Sequence, residues 1–118
     1  MELGTEGLLV ARRAEVLFNM IYPSLRNYPK AEKFALCNEI KSHFCGLISS
    51  VEMANSVPSL RKQYAQKADG HLQTLKILFR LSRNQEYISK AFYAKIDQEL
   101  SEINKLLSGY IKSASKKW

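Results

Sequence analysis

Residues 93–110 read YAKIDQELSEINKLLSGY, and the apolar side chains in this stretch recur at alternating intervals of three and four residues. Such spacing places them along one face of an α-helix and is typical of helices that pack together in a bundle. The stretch therefore predicts one long helix with a single buried face. The residues expected on that face are Tyr93, Ile96, Leu100, Ile103, Leu107 and Tyr110.

Three short breaks divide the chain. Pro23 and Pro29 bracket the first, Pro58 marks the second, and the polar residues 83–86 form the third. Because a proline costs little in the first turn of a helix, Pro29 and Pro58 are expected to open helices. Ser89 is a suitable N-cap for the last helix. The predicted helices cover residues 7–22, 30–55, 58–82 and 89–113.

The same apolar spacing assigns a buried face to each of the two middle helices. Since the connections are short, consecutive helices should be antiparallel. The sequence thus predicts an all-α protein: a single domain over residues 1–118, folded as an up-down-up-down antiparallel four-helix bundle, with a basic tail from about residue 113. The second helix is expected to bury Cys37, Ile40, Phe44, Leu47, Val51 and Ala54. The third is expected to bury Leu60, Tyr64, Ala68, His71, Leu75 and Leu78.

Some apolar residues fall outside these faces. Ile77 and Leu81 lie roughly 120–160° around the third helix from Leu75, and Leu36 lies off the seam of the second. Wide apolar arcs of this kind favour a second buried surface, for which self-association is the simplest source. Scattered exposed apolar side chains, which are common in proteins, are the alternative.

The two cysteines and the N-terminal residues bear on the cellular compartment. Cys37 and Cys45 are about 12 Å apart along one helix, too far for a disulfide, and are expected to be reduced, partly buried thiols. The apolar run at residues 8–11 ends at two arginines, and no stretch approaches the roughly 20 apolar residues of a membrane span. These features predict a cytoplasmic protein with no membrane partner.

The net charge of +7 lies entirely in the second half of the chain. Residues 1–60 carry six basic and six acidic side chains, whereas residues 61–118 carry twelve basic and five acidic ones. Both halves have the same helical pattern, so the fold alone does not require this difference. A polyanion such as a nucleic acid is the first partner to consider.

The cations of the third helix share one face. Lys62, Lys76, Arg80 and Arg83 fall within about 60° of one another, with Asp69 the one acid among them. Like charges three or four residues apart repel, so such a row indicates an anionic partner. Arg suits phosphate because its planar guanidinium donates two hydrogen bonds at once. An ordinary solvated face and a surface for an acidic protein are the alternatives.

The predicted fourth helix has four further lysines along its length: Lys90, Lys95, Lys105 and Lys112. The tail ends with two lysines and Trp118, which could contact phosphates and stack on a base; a frayed, solvated terminus is the alternative. No zinc finger or other base-reading motif is present, so the predicted binding is dominated by phosphate contacts. The predicted nucleic-acid-binding residues are Lys62, Lys76, Arg80, Arg83, Lys90, Lys105 and Lys112.

The sequence offers few residues for catalysis. His43 follows Glu39 by four residues, but a di-iron bundle needs two Glu-x-x-His pairs and further carboxylates. His71 falls on the predicted buried face of the third helix. Phosphate-binding glycine loops and nucleophile elbows are missing from the sequence. The prediction is a binding protein that is not an enzyme and uses no metal or cofactor, with a metalloenzyme as a remote alternative.

Three segments resemble a known family: residues 28–36 (YPKAEKFAL), 71–83 (HLQTLKILFRLSR) and 102–113 (EINKLLSGYIKS). In this order and spacing they are similar to the accessory variability determinants (Avd) of diversity-generating retroelements. Members typically have Gly-Gly-Trp where this chain has Ser108, Gly109 and Tyr110. Four-helix proteins encoded in rRNA intervening sequences share the first and last of these segments and are an alternative.

The resemblance implies more than the residues alone. It implies a barrel-like homopentamer. It also implies a cytoplasmic protein that is encoded by a bacterium or a phage. It implies a non-catalytic partner of a reverse transcriptase and its template RNA in mutagenic cDNA synthesis, in contact with RNA, DNA or an RNA/DNA hybrid. It also places basic character at Lys76, Arg80 and Arg83. A structural assembly module that binds an acidic protein remains the alternative from a different functional class.

Overall fold

The chain forms four long α-helices in a computed structural model that describes residues 2–117, with side chains described for residues 6–114. No strand occurs in this part of the chain, and the prediction of an all-α fold with four helices is confirmed. The helices are α1 (Glu2–Ile21), α2 (Leu36–Ser56), α3 (Arg61–Asn84) and α4 (Lys90–Lys117).

The helices pack side by side in a ring of four. The principal contacts join α1 to α2, α2 to α3, α3 to α4 and α4 back to α1. The start of α3 is tied to the end of α2, where the Arg61 side chain donates hydrogen bonds to the carbonyls of Ala54 and Asn55 at 2.9 and 3.2 Å. Gly7 near the start of α1 lies beside Asn55 near the end of α2, and Gln73 of α3 bonds to Asn104 of α4, so these consecutive helices run antiparallel. The bundle measures 46 × 25 × 19 Å, and its length is set by the helices.

The first connection differs from the sequence prediction. Two short 3-10 helices, Tyr22–Asn27 and Lys30–Glu32, precede α2, which begins at Leu36 and not at residue 30. Ala35, with φ −119° and ψ −93°, lies outside the helical region and separates the second 3-10 helix from α2. Pro29 precedes only a 3-10 turn, so the prediction that it opens the second α-helix was wrong.

The other two connections also refine the prediction. Pro58 opens a 3-10 turn, Pro58–Leu60, and α3 follows from Arg61. At the other end α3 continues to Asn84, so the predicted break at residues 83–86 was placed too early. The Ser89 side chain accepts a hydrogen bond from the Phe92 backbone N–H at 3.0 Å, which confirms it as the N-cap of α4. α4 extends to Lys117, further than the predicted residue 113.

The buried faces of α2 and α4 follow the sequence pattern closely. Every residue predicted to be buried on α2 is buried, and on α4 only Tyr93 is half-buried. The α3 prediction was wrong by about 60° of rotation around the helix axis. Leu60 is exposed, and Tyr64, His71 and Leu78 are only half-buried. The buried residues of α3 are Ala65, Ala68, Leu72, Leu75, Phe79 and Ser82.

Three further predictions concern single residues. Leu36 is buried in the core and does not belong to a second surface, so that expectation was wrong. Ile77 and Leu81 do lie outside the core, with 56% and 42% of their surface exposed. Both cysteines are free, as expected, but only Cys37 is buried and Cys45 is exposed. None of the described helices is long and apolar enough to cross a membrane.

Candidate nucleic-acid interface

The cation row on α3 lies beside the buried face of the helix. Lys76, Arg80 and Arg83 are spaced by one helical turn each, and the row centre is about 80° from the centre of the buried face. Arg80 is exposed, whereas Lys76 and Arg83 are half-buried. Among the described side chains, no carboxylate oxygen lies within 4.0 Å of a nitrogen of these three residues. Their positive charge is therefore available to an external anion.

Arg83 is held in place by contacts with neighbouring side chains. Its guanidinium carbon lies 4.8 Å from the centre of the Tyr93 ring on α4, and its Nε and Nη2 donate to Asn84 Oδ1 at 3.3 and 2.9 Å. The cation–π contact places Arg83 on the seam between α3 and α4. A pre-oriented guanidinium loses less conformational freedom when it binds phosphate.

Asp69, the one acid in the row, is engaged within the protein. The Gln73 side-chain amide donates to Asp69 Oδ1 and to Asn104 Oδ1 of α4, both at 3.1 Å. Asp69 lies about two turns before Lys76, on the same side of α3. The polar bridge to α4 runs along the same seam, so the row faces the groove between α3 and α4.

An open depression joins the row to the start of α4. It has a volume of about 800 Å³ and is lined by the segment that includes Arg83, Glu86, Ser89 and Lys90. Lys90 is exposed in the first turn of α4, where the backbone N–H groups and the helix dipole favour negative charge. Arg83 and Lys90 thus contribute two positive charges, against the one carboxylate of Glu86, to a concave surface at the α3–α4 turn.

Most of the chain also matches a known protein family. The family model described as bAvd-like matches residues 8–114, which is most of the chain. The chain belongs to the bAvd-like family. No curated protein and no solved structure is significantly similar to it. The match includes all three segments on which the resemblance to the Avd proteins was based.

The remaining predicted cations of this bAvd-like protein lie apart from the seam. Lys62 is exposed near the start of α3, about 21 Å along the axis from Lys76. Lys105 forms an ion pair with Glu102 at 3.8 Å, and Lys112 is exposed near the opposite end of α4 from Lys90. Arg83 links the other predicted cations, because it belongs to the row with Lys76 and Arg80 and lines the same depression as Lys90. The predicted contacts of Trp118 and of the Lys116 and Lys117 side chains lie outside the described residues.

Sequence reasoning missed several residues that shape the basic surfaces of the bAvd-like protein. Tyr93 was predicted as a core residue only, although its ring also supports Arg83. Arg26, Lys33 and Lys41 received no role because the first half of the chain is neutral overall. They line one groove of about 260 Å³ at the α1–α2 corner. Net charge summed over sixty residues does not detect such local clustering.

The histidines lie on a different part of the bundle. His43 Nδ1 of α2 is 2.9 Å from His71 Nδ1 of α3, and His43 Nε2 is 3.5 Å from Glu39 Oε1. Burial, then the nearby His43 and Lys67, lower the pKa of His71 from its usual value. Within the described residues, no group of three or more His, Cys, Asp or Glu side chains could hold a metal ion.

Proposed function

We propose that this protein is a non-catalytic, nucleic-acid-binding accessory subunit of a retroelement reverse transcriptase. It associates with the transcriptase and its template RNA and supports mutagenic cDNA synthesis. The observation that carries the proposal is the row Lys76, Arg80 and Arg83, which has no carboxylate partner among the described side chains and lies in a chain of the bAvd-like family.

Phosphate groups suit this surface better than base edges. The row runs along a groove between two helices, and its guanidinium and ammonium groups donate hydrogen bonds to anionic oxygens. Contacts of this kind position a nucleic acid but do not read its sequence. Binding should therefore be weakly selective for sequence and strongly dependent on salt.

Self-assembly into a homopentamer is part of the proposal. Ile77 and Leu81 lie on the side of α3 that faces away from the core and supply exposed apolar surface for a contact between copies. Five copies would present five basic seams to one nucleic acid and raise the avidity of weak individual contacts. Light scattering should give about five times the 13.5 kDa of one chain. A monomer at micromolar concentration would remove the pentamer from the proposal.

Binding of the purified protein to RNA and DNA across a salt series tests the central claim. Four to six phosphate contacts per chain predict a slope of log affinity against log salt of roughly −3 to −5. The triple variant Lys76→Glu, Arg80→Glu, Arg83→Glu should lose binding and keep its helicity in circular dichroism. The charge-matched control is Arg12→Glu, Lys67→Glu, Lys95→Glu, whose side chains lie away from the seam and are exposed.

The two triple variants separate the possible results. Loss in the seam variant with a much smaller loss in the control supports this site. Unchanged affinity in the seam variant means that the site is assigned wrongly, and equal losses mean that only net charge matters. Weak, salt-independent binding by the unmodified protein would instead favour an acidic protein as the partner of this surface.

The retroelement role is tested by the genomic setting and by co-purification. A reverse-transcriptase gene beside this gene, with a near-repeat of the end of a variable gene, would support the role. The two proteins should then co-purify when they are expressed together. A location inside an rRNA gene would instead support the intervening-sequence type of four-helix protein.

A further inference from the structure

A second surface with basic and aromatic side chains lies at the α1–α2 corner. The groove of about 260 Å³ has Leu25 and the buried Cys37 among its lining residues, and Tyr22 and Phe34 contribute aromatic rings. Phe34 is 90% exposed, more than any other large apolar side chain of the described residues, and Tyr22 is 47% exposed. A phenyl ring held in water is unfavourable unless a ligand covers it.

Hydrogen bonds of the preceding residue and the local backbone conformation keep Phe34 exposed. Lys33, the preceding residue, donates hydrogen bonds from Nζ to the carbonyls of Leu25 and Arg26 at 2.8 and 2.6 Å. These bonds fix the segment to the 3-10 helix Tyr22–Asn27. Ala35 then adopts a non-helical conformation before α2 begins. The Phe34 ring is therefore presented by a braced turn.

The groove is locally positive although residues 1–60 are neutral overall. Arg26, Lys33 and Lys41 line it, and no carboxylate does so among the described residues. Lys41 Nζ lies 5.1 Å from the centre of the Tyr22 ring. Of the nearby acids, Glu32 accepts a hydrogen bond from the Tyr87 hydroxyl at 2.9 Å, and Glu39 faces His43.

We propose that this groove binds a single-stranded segment of nucleic acid. A base stacks on the exposed Phe34 ring, and adjacent phosphates contact Arg26 and Lys41. Cations that follow the backbone, combined with aromatic rings for the bases, are the general features of single-strand binding surfaces. An acidic peptide would be attracted by the same charges, but its carboxylates alone leave the Phe34 ring uncovered, whereas every nucleotide carries a base that can stack on it.

The position of the groove relative to the α3–α4 seam supports the assignment. The Tyr28 and Tyr87 rings lie 5.3 Å apart, and Tyr87 also donates to Glu32. The α1–α2 and α3–α4 corners are therefore at the same end of the bundle. One nucleic acid can pass from the cations of α3 to the groove, so the inference rests on the nucleic-acid binding proposed above and adds a site for an unpaired segment.

Fluorescence anisotropy with the full-length protein tests this proposal. The probes are a labelled single strand of about ten nucleotides and a duplex of the same length. Phe34→Ala should weaken single-strand binding by roughly tenfold and duplex binding by less than about twofold, because only unpaired bases can stack on the ring. Phe34→Tyr should retain single-strand binding. Val16→Ala, an exposed apolar position on α1 outside the groove, is the matched control.

The outcomes distinguish this groove from the α3 site. Equal effects of Phe34→Ala on both probes, or no effect on either, would overturn the groove while the α3 proposal stands if its triple variant loses binding. No binding of either probe by the unmodified protein would overturn both. A Glu-rich peptide with one central Phe serves as a further probe. Phe34-dependent binding of this peptide without Phe34-dependent binding of the single strand would assign the groove to an acidic protein segment.

Discussion

His43 Nδ1 and His71 Nδ1 lie 2.9 Å apart and join α2 to α3. The rings are tilted by 53° with their centroids 5.1 Å apart. One nitrogen must donate and the other accept, so the contact requires an unprotonated Nδ1 on one of the two rings. If both imidazoles were protonated, two N–H groups and two positive charges would face each other. The pair therefore links the packing of two helices to pH.

Acid should destabilise the fold through His71. Burial, His43 and Lys67 lower the pKa of His71 in the folded state below its usual value of about 6.5. The folded state then binds fewer protons than the unfolded state as the pH falls through 6.5, so the free energy of unfolding decreases from there down to the folded pKa. Urea unfolding at pH 7.5 and 5.5 measures the loss, which should be smaller in His71→Gln than in the unmodified protein.

Charged groups beside the His43–His71 pair provide a control for this experiment. Glu39 faces His43 and Lys67 faces His71, so both act on the same pair. Lys67→Gln removes one of the causes of the lowered pKa and should raise the pKa of His71, measured by NMR titration of its ring protons. Identical pH dependence in His71→Gln and the unmodified protein would show that His71 does not couple folding to pH.

The position of the His71 ring leaves no space for a side chain at residue 46 of α2, which is a glycine. A Cβ at Gly46 would overlap the imidazole ring of His71, whereas a Cβ at Gly70 of α3 would meet nothing within 4 Å. Alanine favours helix over glycine by about 1 kcal/mol, and overpacking costs about 1–3 kcal/mol. Gly70→Ala should thus stabilise the protein by about 1 kcal/mol, and Gly46→Ala should destabilise it by about 1 kcal/mol in chemical denaturation.

A double variant identifies the cause of the Gly46 effect. In the His71→Ala background the ring is gone, so Gly46→Ala should become stabilising by about 1 kcal/mol, as Gly70→Ala is. If Gly46→Ala destabilises the protein equally with and without the His71 ring, the clash with His71 is not the reason. The cycle needs only the four free energies of unfolding.

The apolar spacing predicted α2 and α4 well because each has one dominant apolar stripe. On α3, two overlapping arcs compete: one contains Leu60, Tyr64 and Leu78, and the other contains Leu72 and Phe79. Spacing alone does not decide between them. The packing of the neighbouring helices decides which arc is buried. They enclose the arc with Leu72 and Phe79 and leave Tyr64 and His71 half-buried at its edge.

The candidate site could be predicted only in part for a similar reason. Lys76, Arg80 and Arg83 form a row through the geometry of a single helix, so residue spacing is enough to predict it. The Arg83–Tyr93 contact and the depression near Lys90 depend on how α4 returns along α3. The groove with Phe34 depends on the two 3-10 helices before α2, the second of which replaces the start of the predicted second helix, and residue spacing does not reveal them.

Glu86 has an unfavourable backbone conformation at the end of α3. Its φ is 62°, and the backbone N–H groups of Glu86 and Tyr87 donate to the carbonyls of Arg83 and Ser82, both at 2.9 Å. This is a Schellman arrangement, in which glycine is the favoured residue at the left-handed position. Glu86→Gly should therefore stabilise the protein by about 0.5–1 kcal/mol in thermal or urea unfolding.

Two other variants at residue 86 distinguish the effect of backbone strain on stability from the effect of the carboxylate charge. Glu86→Ala keeps a Cβ and Glu86→Gln keeps the side-chain shape, so neither relieves the left-handed strain. Both should leave stability within about 0.5 kcal/mol of the unmodified protein. A gain in Glu86→Gln equal to that in Glu86→Gly would attribute the effect to removal of a negative charge from the C-terminus of α3, where the helix dipole disfavours it.

The two thiols should differ sharply in reactivity. Cys45 is exposed, whereas Cys37 is buried, with its Sγ 3.7 Å from the carbonyl oxygen of Leu25. Burial raises the pKa of Cys37 above its usual range, although Lys33 and Lys41 oppose the shift. Since the thiolate is the reactive form, a maleimide at pH 7 should label Cys45 at least about tenfold faster than Cys37, measured by mass spectrometry. Cys45→Ser should resist labelling until denaturant is added, and rapid labelling of this folded variant would show that Cys37 is accessible.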